Sequence, residues 1–359
     1  MRKLFWLIFV ALLAAAGWFT WAISTPTEPG GQTFVLLHPG YSTRRIAVEL
    51  KSAGVIRSEE AFILWHYVHR HRSLKAGEYL FEKPDNIVGI QKRLRRGDVY
   101  FHTVVVPEGF TMFDIARAIE AAGLGPAQDF LKVAQSDTDM ITDMAPHAKS
   151  LEGYLFPDTY QFTRMMTMRE IAGIMVCTFR LEAGRIGLDR RPTLLIGTPP
   201  EPKACNGCGG PSEVAPGVPD GLTLIERTVI MASIVEKETR VPDERPLVAS
   251  VYYNRLGQNI ALDADPSIIY AELLAGTYTG ALHHADMQFR SPYNTYRNTG
   301  LPPGPIANPG RSSLEAAMQP AQSDYYYFVA DAQGHHRFAH TMEEHNKNVA
   351  AYRKAMRGK

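Results

Sequence analysis

Two glutamates separated by one lysine, Glu236 and Glu238, close an unusually apolar run, Leu222 to Thr239 (LTLIERTVIMASIVEKET). Leu224, Ile225, Val229, Ile230, Met231, Ile234 and Val235 leave it almost no polar face, the pattern of a helix buried on every side. Pro242 limits the run, which predicts a helix that stops near Arg240. Positions two apart lie about 200° around a helix, so only one of these carboxyls can face a given cleft. The other must be structural or ion-paired. A carboxyl facing a cleft here is desolvated and sits at the negative end of the helix dipole. Both effects raise its pKa toward what a general acid needs near neutral pH. Glu238 lies over Met231, Ile234 and Val235, Glu236 over Val229, Ala232 and Ser233, which favours Glu238 only slightly. On spacing alone, two solvated glutamates on an exposed helix end are the favoured reading.

Other reactive residues are weaker candidates. Glu152, in LEGYLFPDTY (Leu151 to Tyr160), is the rival acid; lying between an irregular stretch and Pro157, it is expected exposed at a cleft rim, as a subsite or structural residue before a proton donor. Asp265 precedes Pro266 and reads as a helix cap. His283, His284, His335, His336, His340 and His345 fit no metal-ligand spacing; an exposed loop and one packed ring at His345 account for them. Cys205 and Cys208 lie in a Pro/Gly-rich insertion, about 197–221, and zinc would require further ligands. That stretch reads as a loop with a local disulfide or free thiols. No metal and no cofactor is expected.

These groups must be positioned by a chain of 359 residues, 45% apolar and 21% charged, long enough for two or three domains. A formal net charge of +1 gives no polyanion-binding surface, so nucleic acid is not an expected partner. Leu4 to Ala22 carries no charge and makes a helix of about 28 Å, matching a bilayer core. Arg2 and Lys3 flank it, which orients the N-terminus to the cytosol, and Trp18 and Trp21 suit the far interface. An uncleaved anchor is favoured over a signal peptide, because the apolar run is long and no clean cleavage site follows. Ser24 to Gln32 reads as a short flexible stalk.

An internal repeat follows. Gly40 to Val55 and Gly109 to Leu124 match position by position, Ser42 with Thr111, Ile46 with Ile115, Leu50 with Ile119 and Gly54 with Gly123. Each copy has a hydroxyl N-cap, an apolar stripe and a glycine at its end, and follows a strand-like run (Thr33 to Leu37, Thr103 to Val106). With Phe62 and Phe130 on second helices, the order is strand, helix, helix, returning strand. This βααβ unit resembles the LysM-like modules of cell-wall proteins, which grip N-acetyl groups of glycan chains; a plain packing unit has equal weight.

The C-terminal motifs carry a broader resemblance. ASIVEKET (Ala232 to Thr239) is followed by VASVYYNRL (Val248 to Leu256), ADPSIIY (Ala264 to Tyr270), YNTYRNTGLPPGPIANPG (Tyr293 to Gly310), YFVAD (Tyr327 to Asp331) and HNKNV (His345 to Val349). With LEGYLFPDTY upstream, this order is similar to that of the endolytic murein transglycosylases (MltG/YceG-like proteins), over roughly residues 33 to 355. The resemblance implies an α+β fold: an anchor at 1–23, a linker at 24–32, a LysM-like region at 33–135 and a catalytic domain at 136–359. It implies a lyase cutting peptidoglycan between N-acetylmuramic acid and N-acetylglucosamine, with Glu238 as catalytic acid. Asn254, Tyr293, Asn294, Thr295, Tyr296 and Glu152 are the substrate-binding candidates. It also implies the bacterial inner membrane as location, crossed once with the catalytic domain in the periplasm, and peptidoglycan synthases (penicillin-binding proteins) as partners. Two alternatives stay open: a lysozyme-type muramidase using two carboxyls, and a glycan-binding scaffold without activity.

Overall fold

The computed structural model describes residues 2–69, 73–189 and 221–357. The chain divides into two compact units. The first is Met1–Thr103 with Ala122–Leu124 and Gln161–Thr167; the second is Val104–Ala121, Gly125–Tyr160 and Met168–Lys359. The 33–135 region outlined from the sequence is therefore divided, with the first copy of the repeat in the first unit and the helices of the second copy in the other. The insertion with Cys205 and Cys208 lies outside the described residues.

In the first unit, the apolar helix α1 (Arg2–Ser24) precedes β1 (Thr33–Leu37), α2 (Thr43–Ser52), α3 (Glu59–Val68), β2 (Gly77–Phe81) and α4 (Ile87–Arg96). Strands β1 and β2 pair antiparallel, Thr33 opposite Phe81 and Leu37 opposite Gly77, so the two helices between them form the connection. The helices start where the sequence provides caps. The Ser42 hydroxyl accepts from the Arg45 N–H at 3.2 Å, the Ser58 hydroxyl from Ala61 at 3.1 Å, and the Asn86 amide oxygen from Gly89 at 2.9 Å. Val35, Leu37, Ile46, Leu50, Phe62, Tyr79, Ile90 and Leu94 make the core.

Ser24 to Gln32 is not a free stalk. Ala22 and Ile23, at the end of α1, belong to that same core. Thr27 pairs with Asp85 (N–H to O, 2.8 Å), and the Pro26 carbonyl accepts from Arg57 at 3.2 Å. Gly and Pro suggested a flexible tether, but backbone groups that find partners stay ordered.

The second unit contains α5 (Met112–Ala121), α6 (Ala127–Ser136), α7 (Met168–Ile186), α8 (Leu224–Glu238), α9 (Arg245–Gly257), α10 (Asp265–Ala275) and α11 (Arg311–Met318). A hairpin of β3 (Tyr327–Ala330) and β4 (His336–Ala339) and a last helix, α12 (Met342–Arg357), complete it. A further strand pair, His102–Val105 with Thr159–Phe162, carries the chain from one unit to the other and back. Helix α8 packs against α9, α10 and α11. Thr228 to Val235 are all buried, which is why the run could be apolar all round. Thr223 and Glu226 form a reciprocal capping box at its start, and the Ser233 hydroxyl accepts the Ile306 N–H at 3.0 Å.

One glycine is fixed by close approach. Gly153 has φ +87°, and a Cβ there would lie 2.5 Å from Pro305 Cγ and 2.8 Å from Val229 Cγ1. The LEGY turn is thereby pressed onto both α8 and the Pro305 loop.

Candidate functional site

Glu238 is the last residue of α8 and is half-buried. Its Oε1 accepts a hydrogen bond from the Tyr252 hydroxyl at 2.7 Å. Burial pushes its pKa up to about 7, opposed by the Tyr252 bond, which favours the charged form, and assisted by the negative Asp265. Its bonding partner is thus a neutral hydroxyl rather than a cation. Tyr252 is itself buried on α9, between Val248 and Leu256 on one helical stripe.

The neighbouring carboxyl is different. Glu236 Oε1 lies 2.9 Å from the Arg245 guanidinium, and Oε2 accepts the Gly310 N–H at 2.9 Å. Burial raises its pKa, while Gly310 and Arg245 pull it down. Arg245 also donates to Ser312 at 2.7 Å and lies 3.3 Å from Glu108. Glu236 is therefore the ion-paired member, tying the end of α8 to the starts of α9 and α11. Of the two, Glu238 is the carboxyl bonded to a hydroxyl instead of a cation.

A second tyrosine–carboxylate pair stands within electrostatic reach. Asp265, exposed in the first turn of α10, accepts from the Tyr296 hydroxyl at 2.5 Å. Tyr296 is 38% exposed, and burial, reinforced by the negative Asp265 and more weakly by Glu238, raises its hydroxyl pKa. Asp265 thus does more than open a helix. Cavities of about 490 Å³ (beside Pro242, Asp243 and Glu315) and about 350 Å³ (beside Arg93 and Tyr100) are lined by residues other than Glu238. Glu238 is partly exposed and Tyr296 exposed at the surface.

The other sequence candidates are mostly framework. Glu152 is 1% exposed rather than at a rim. It accepts the Met112 N–H at 3.0 Å, capping α5, and the Asn308 amide at 2.7 Å. Burial drives its pKa up to about 8 despite these donors. Asn294 is fully buried, its amide donating to the Met287 and Phe289 carbonyls at 3.1 and 2.8 Å. Thr295 is buried too, its hydroxyl accepting the Ala264 N–H at 2.9 Å. Asn254 donates to the Ser323 and Tyr325 carbonyls at 2.8 and 2.9 Å. Tyr293 stands edge-on to Tyr270 at 5.1 Å, partly exposed. Polar residues in YNTY suggested ligand contacts, yet Thr295 and Tyr296 bond to the start of α10 and Asn294 to the Met287 and Phe289 carbonyls. Among the described residues no group of three His, Cys, Asp or Glu could hold a metal ion. His335 and His336 instead clasp Glu244 at 3.0 and 2.7 Å.

Tyr252 and Asn308 were missed in the sequence. Tyr252 had a readable sign: it shares the i, i+4, i+8 stripe of Val248 and Leu256, and a buried tyrosine hydroxyl requires a partner. Tyr252→Phe is expected to move the alkaline limb of any Glu238-dependent rate upward, because the lost bond stabilised the carboxylate. The maximal rate should fall about tenfold, since the same bond also assists release of the proton. Rate profiles against pH for the two proteins test this.

The family model described as the YceG-like family matches residues 35–351. The chain is 31% identical over 344 residues to the endolytic murein transglycosylase of Bacillus subtilis (strain 168), covering 91% of this chain and 87% of that one. It is 27% identical over 380 residues to the endolytic murein transglycosylase of Streptococcus pneumoniae (strain ATCC BAA-255 / R6), covering 96% of this chain and 64% of that protein. The 2.6 Å crystal structure of the yceG-like protein lmo1499 from Listeria monocytogenes aligns with TM-score 0.54 and 30% identity, over 88% of this chain and 98% of that one. A match along nearly the whole length, in which Glu238 and its neighbours fall inside the matched span, makes this chain a member of the YceG-like family.

Proposed function

We propose that this chain is a membrane-anchored lytic transglycosylase that cuts peptidoglycan strands internally, with Glu238 as its single acid and base. The observation that carries this is the Glu238 environment: a carboxyl at the end of a buried helix, raised to about 7 and bonded to a tyrosine hydroxyl. The names of the relatives support the substrate class.

Neutral Glu238 gives its proton to the bridging O4 as the C1–O4 bond of the muramic acid breaks. Positive charge develops on that sugar, and its own C6 hydroxyl attacks C1. The resulting carboxylate, stabilised by the Tyr252 hydroxyl, recovers the hydroxyl proton. The product is a 1,6-anhydro ring; no water is consumed. The nucleophile is part of the substrate, so proximity replaces a second protein carboxylate.

The acid form must be present at the start, so the rate should fall as pH rises through about 7. A plot of kcat/KM against pH with no alkaline limb in this region would reject Glu238 as the acid.

Asp265 favours a second reading, in which it acts as the partner carboxylate of a lysozyme-type hydrolase. Mass spectrometry of the fragments separates the two. An anhydro terminus supports the transglycosylase; a terminus heavier by one water supports the hydrolase.

Helix α1 is long and apolar enough to cross a membrane. With Arg2 and Lys3 at its start, it would hold both units on the periplasmic side of the inner membrane, beside the synthases that extrude new strands. The β1–α2–α3–β2 arrangement would serve as a LysM-like glycan holder.

A further inference from the structure

The junction between α1 and the first unit has no slack. Phe19 packs against the unit's core, and Ala22 and Ile23 are part of it. Beyond them the chain is held at once, through Thr27 to Asp85 and Pro26 to Arg57. The Arg57 guanidinium stands 5.4 Å from the Trp21 ring, and the Asn86 amide reaches the Ser24 carbonyl at 3.4 Å. Helices α3 and α4 both pack against α1.

The length of α1 makes this consequential. Its 23 residues span about 34 Å, and a hydrocarbon core takes about 30 Å. Nearly the whole helix is needed to cross, so its last turns serve the bilayer and the unit's core together. Trp18 and Trp21, both exposed, suit the interfacial layer at this level. The body of the unit must then begin within that layer.

The surface beside α1 has the matching chemistry. Leu64, Tyr67 and Val68 of α3 are 49%, 67% and 62% exposed, and Val88 of α4 is exposed as well. Arg57, two residues before α3, contacts Trp21 and Pro26, and Asn86 before α4 reaches Ser24. Helix α3 is about 15 Å long and itself packs on α1, so these side chains lie within about one short helix length of the end of the span. Three large apolar side chains on one short helix are costly in water and favourable among headgroups and upper acyl chains.

Resting on the reading of α1 as a membrane anchor, we infer that the first unit is seated directly on the bilayer, with Leu64, Tyr67 and Val68 of α3 immersed in its interfacial layer. The occupant of this apolar face is lipid, and the unit has a fixed orientation on the membrane rather than hanging from a tether.

The test uses the full chain in lipid nanodiscs, with Cys177→Ser, Cys205→Ser and Cys208→Ser as background. A spin label is placed at Tyr67→Cys, or at Leu12→Cys as a control in the middle of α1. Collisions with oxygen, which partitions into lipid, are compared with those of a water-soluble nickel chelate. The expected result is oxygen-dominated relaxation at both positions. Adding Leu64→Glu and Val68→Glu should return the position-67 label to the chelate without affecting the label at 12. A label at 67 open to the chelate while that at 12 is shielded overturns the seating and leaves the anchor standing. Chelate access at both overturns the anchor and the seating with it. Protection at 67 in native membranes but not in nanodiscs of the purified chain overturns lipid as the occupant in favour of a protein.

Discussion

Glu238→Gln is expected to lower the release of anhydro-terminated fragments by about 10³-fold or more while leaving the thermal transition no lower than the parent's near pH 7. Glutamine has the same shape and keeps an oxygen to accept the Tyr252 hydroxyl, so the end of α8 and its packing persist. An amide has no proton to give at pH 7, so departure of the O4 leaving group loses its acid. The return step fails as well, because the amide cannot take up the C6 hydroxyl proton. Fragment analysis by mass spectrometry, run beside calorimetry of the same preparations, separates loss of chemistry from loss of fold. Undiminished anhydro product from the folded variant would shift the acid role to another carboxyl. Glu152 is a poor substitute, being 1% exposed beneath Met112 and Asn308, whereas Asp265 is exposed and electrostatically coupled to this site.

The part of this site that was legible from residues is the part that depends on local pattern. An all-round apolar run has one stable solution, a buried helix, and its end was bracketed by Pro242; the observed α8 stops at Glu238. Two-residue spacing likewise required the two glutamates to diverge, and Glu236 turns to Arg245 and Gly310. The repeat gave two capped helices, each followed by a glycine at φ +71°, Gly54 and Gly123. What could not be read was long-range pairing. Asn254, Asn294 and Thr295 have the side chains of a sugar site, and only the tertiary fold reveals that their donors and acceptors are consumed by backbone carbonyls and amides. Glu152 misled for the same reason, since its partners, Met112 and Asn308, are distant in sequence. The linker of Gly and Pro residues looked flexible because its partners, Asp85 and Arg57, are equally remote.

Those remote partners make the largest stability prediction. Asn308 is fully buried and joins three segments. Its side-chain oxygen accepts the Gly153 and Leu155 N–H groups at 2.8 and 2.9 Å, and its amide donates to the Phe110 carbonyl at 2.9 Å and to Glu152 at 2.7 Å. Asn308→Ala orphans two buried N–H groups at once, each costing about 1–3 kcal/mol, so a loss of about 4 kcal/mol is expected. For a unit of this size that corresponds to a Tm lower by about 10 °C. Glu152→Gln, one bond away, should behave differently. Its carboxyl is raised to about 8 in the folded protein from an ordinary 4.5, so it keeps a proton that the unfolded chain releases. Through Glu152 the parent must therefore lose stability relative to the glutamine variant as pH rises from 4.5 toward 8. Glutamine can still accept from Met112 and Asn308, so Glu152→Gln should match the parent near pH 5 and exceed it near pH 8. Calorimetry of the three proteins at both pH values tests the pair. A parent Tm that rises relative to the variant over that interval would mean Glu152 is charged in its cage, and Asn308→Ala within 2 °C of the parent, against about 10 °C expected, would mean the three segments are held by packing instead.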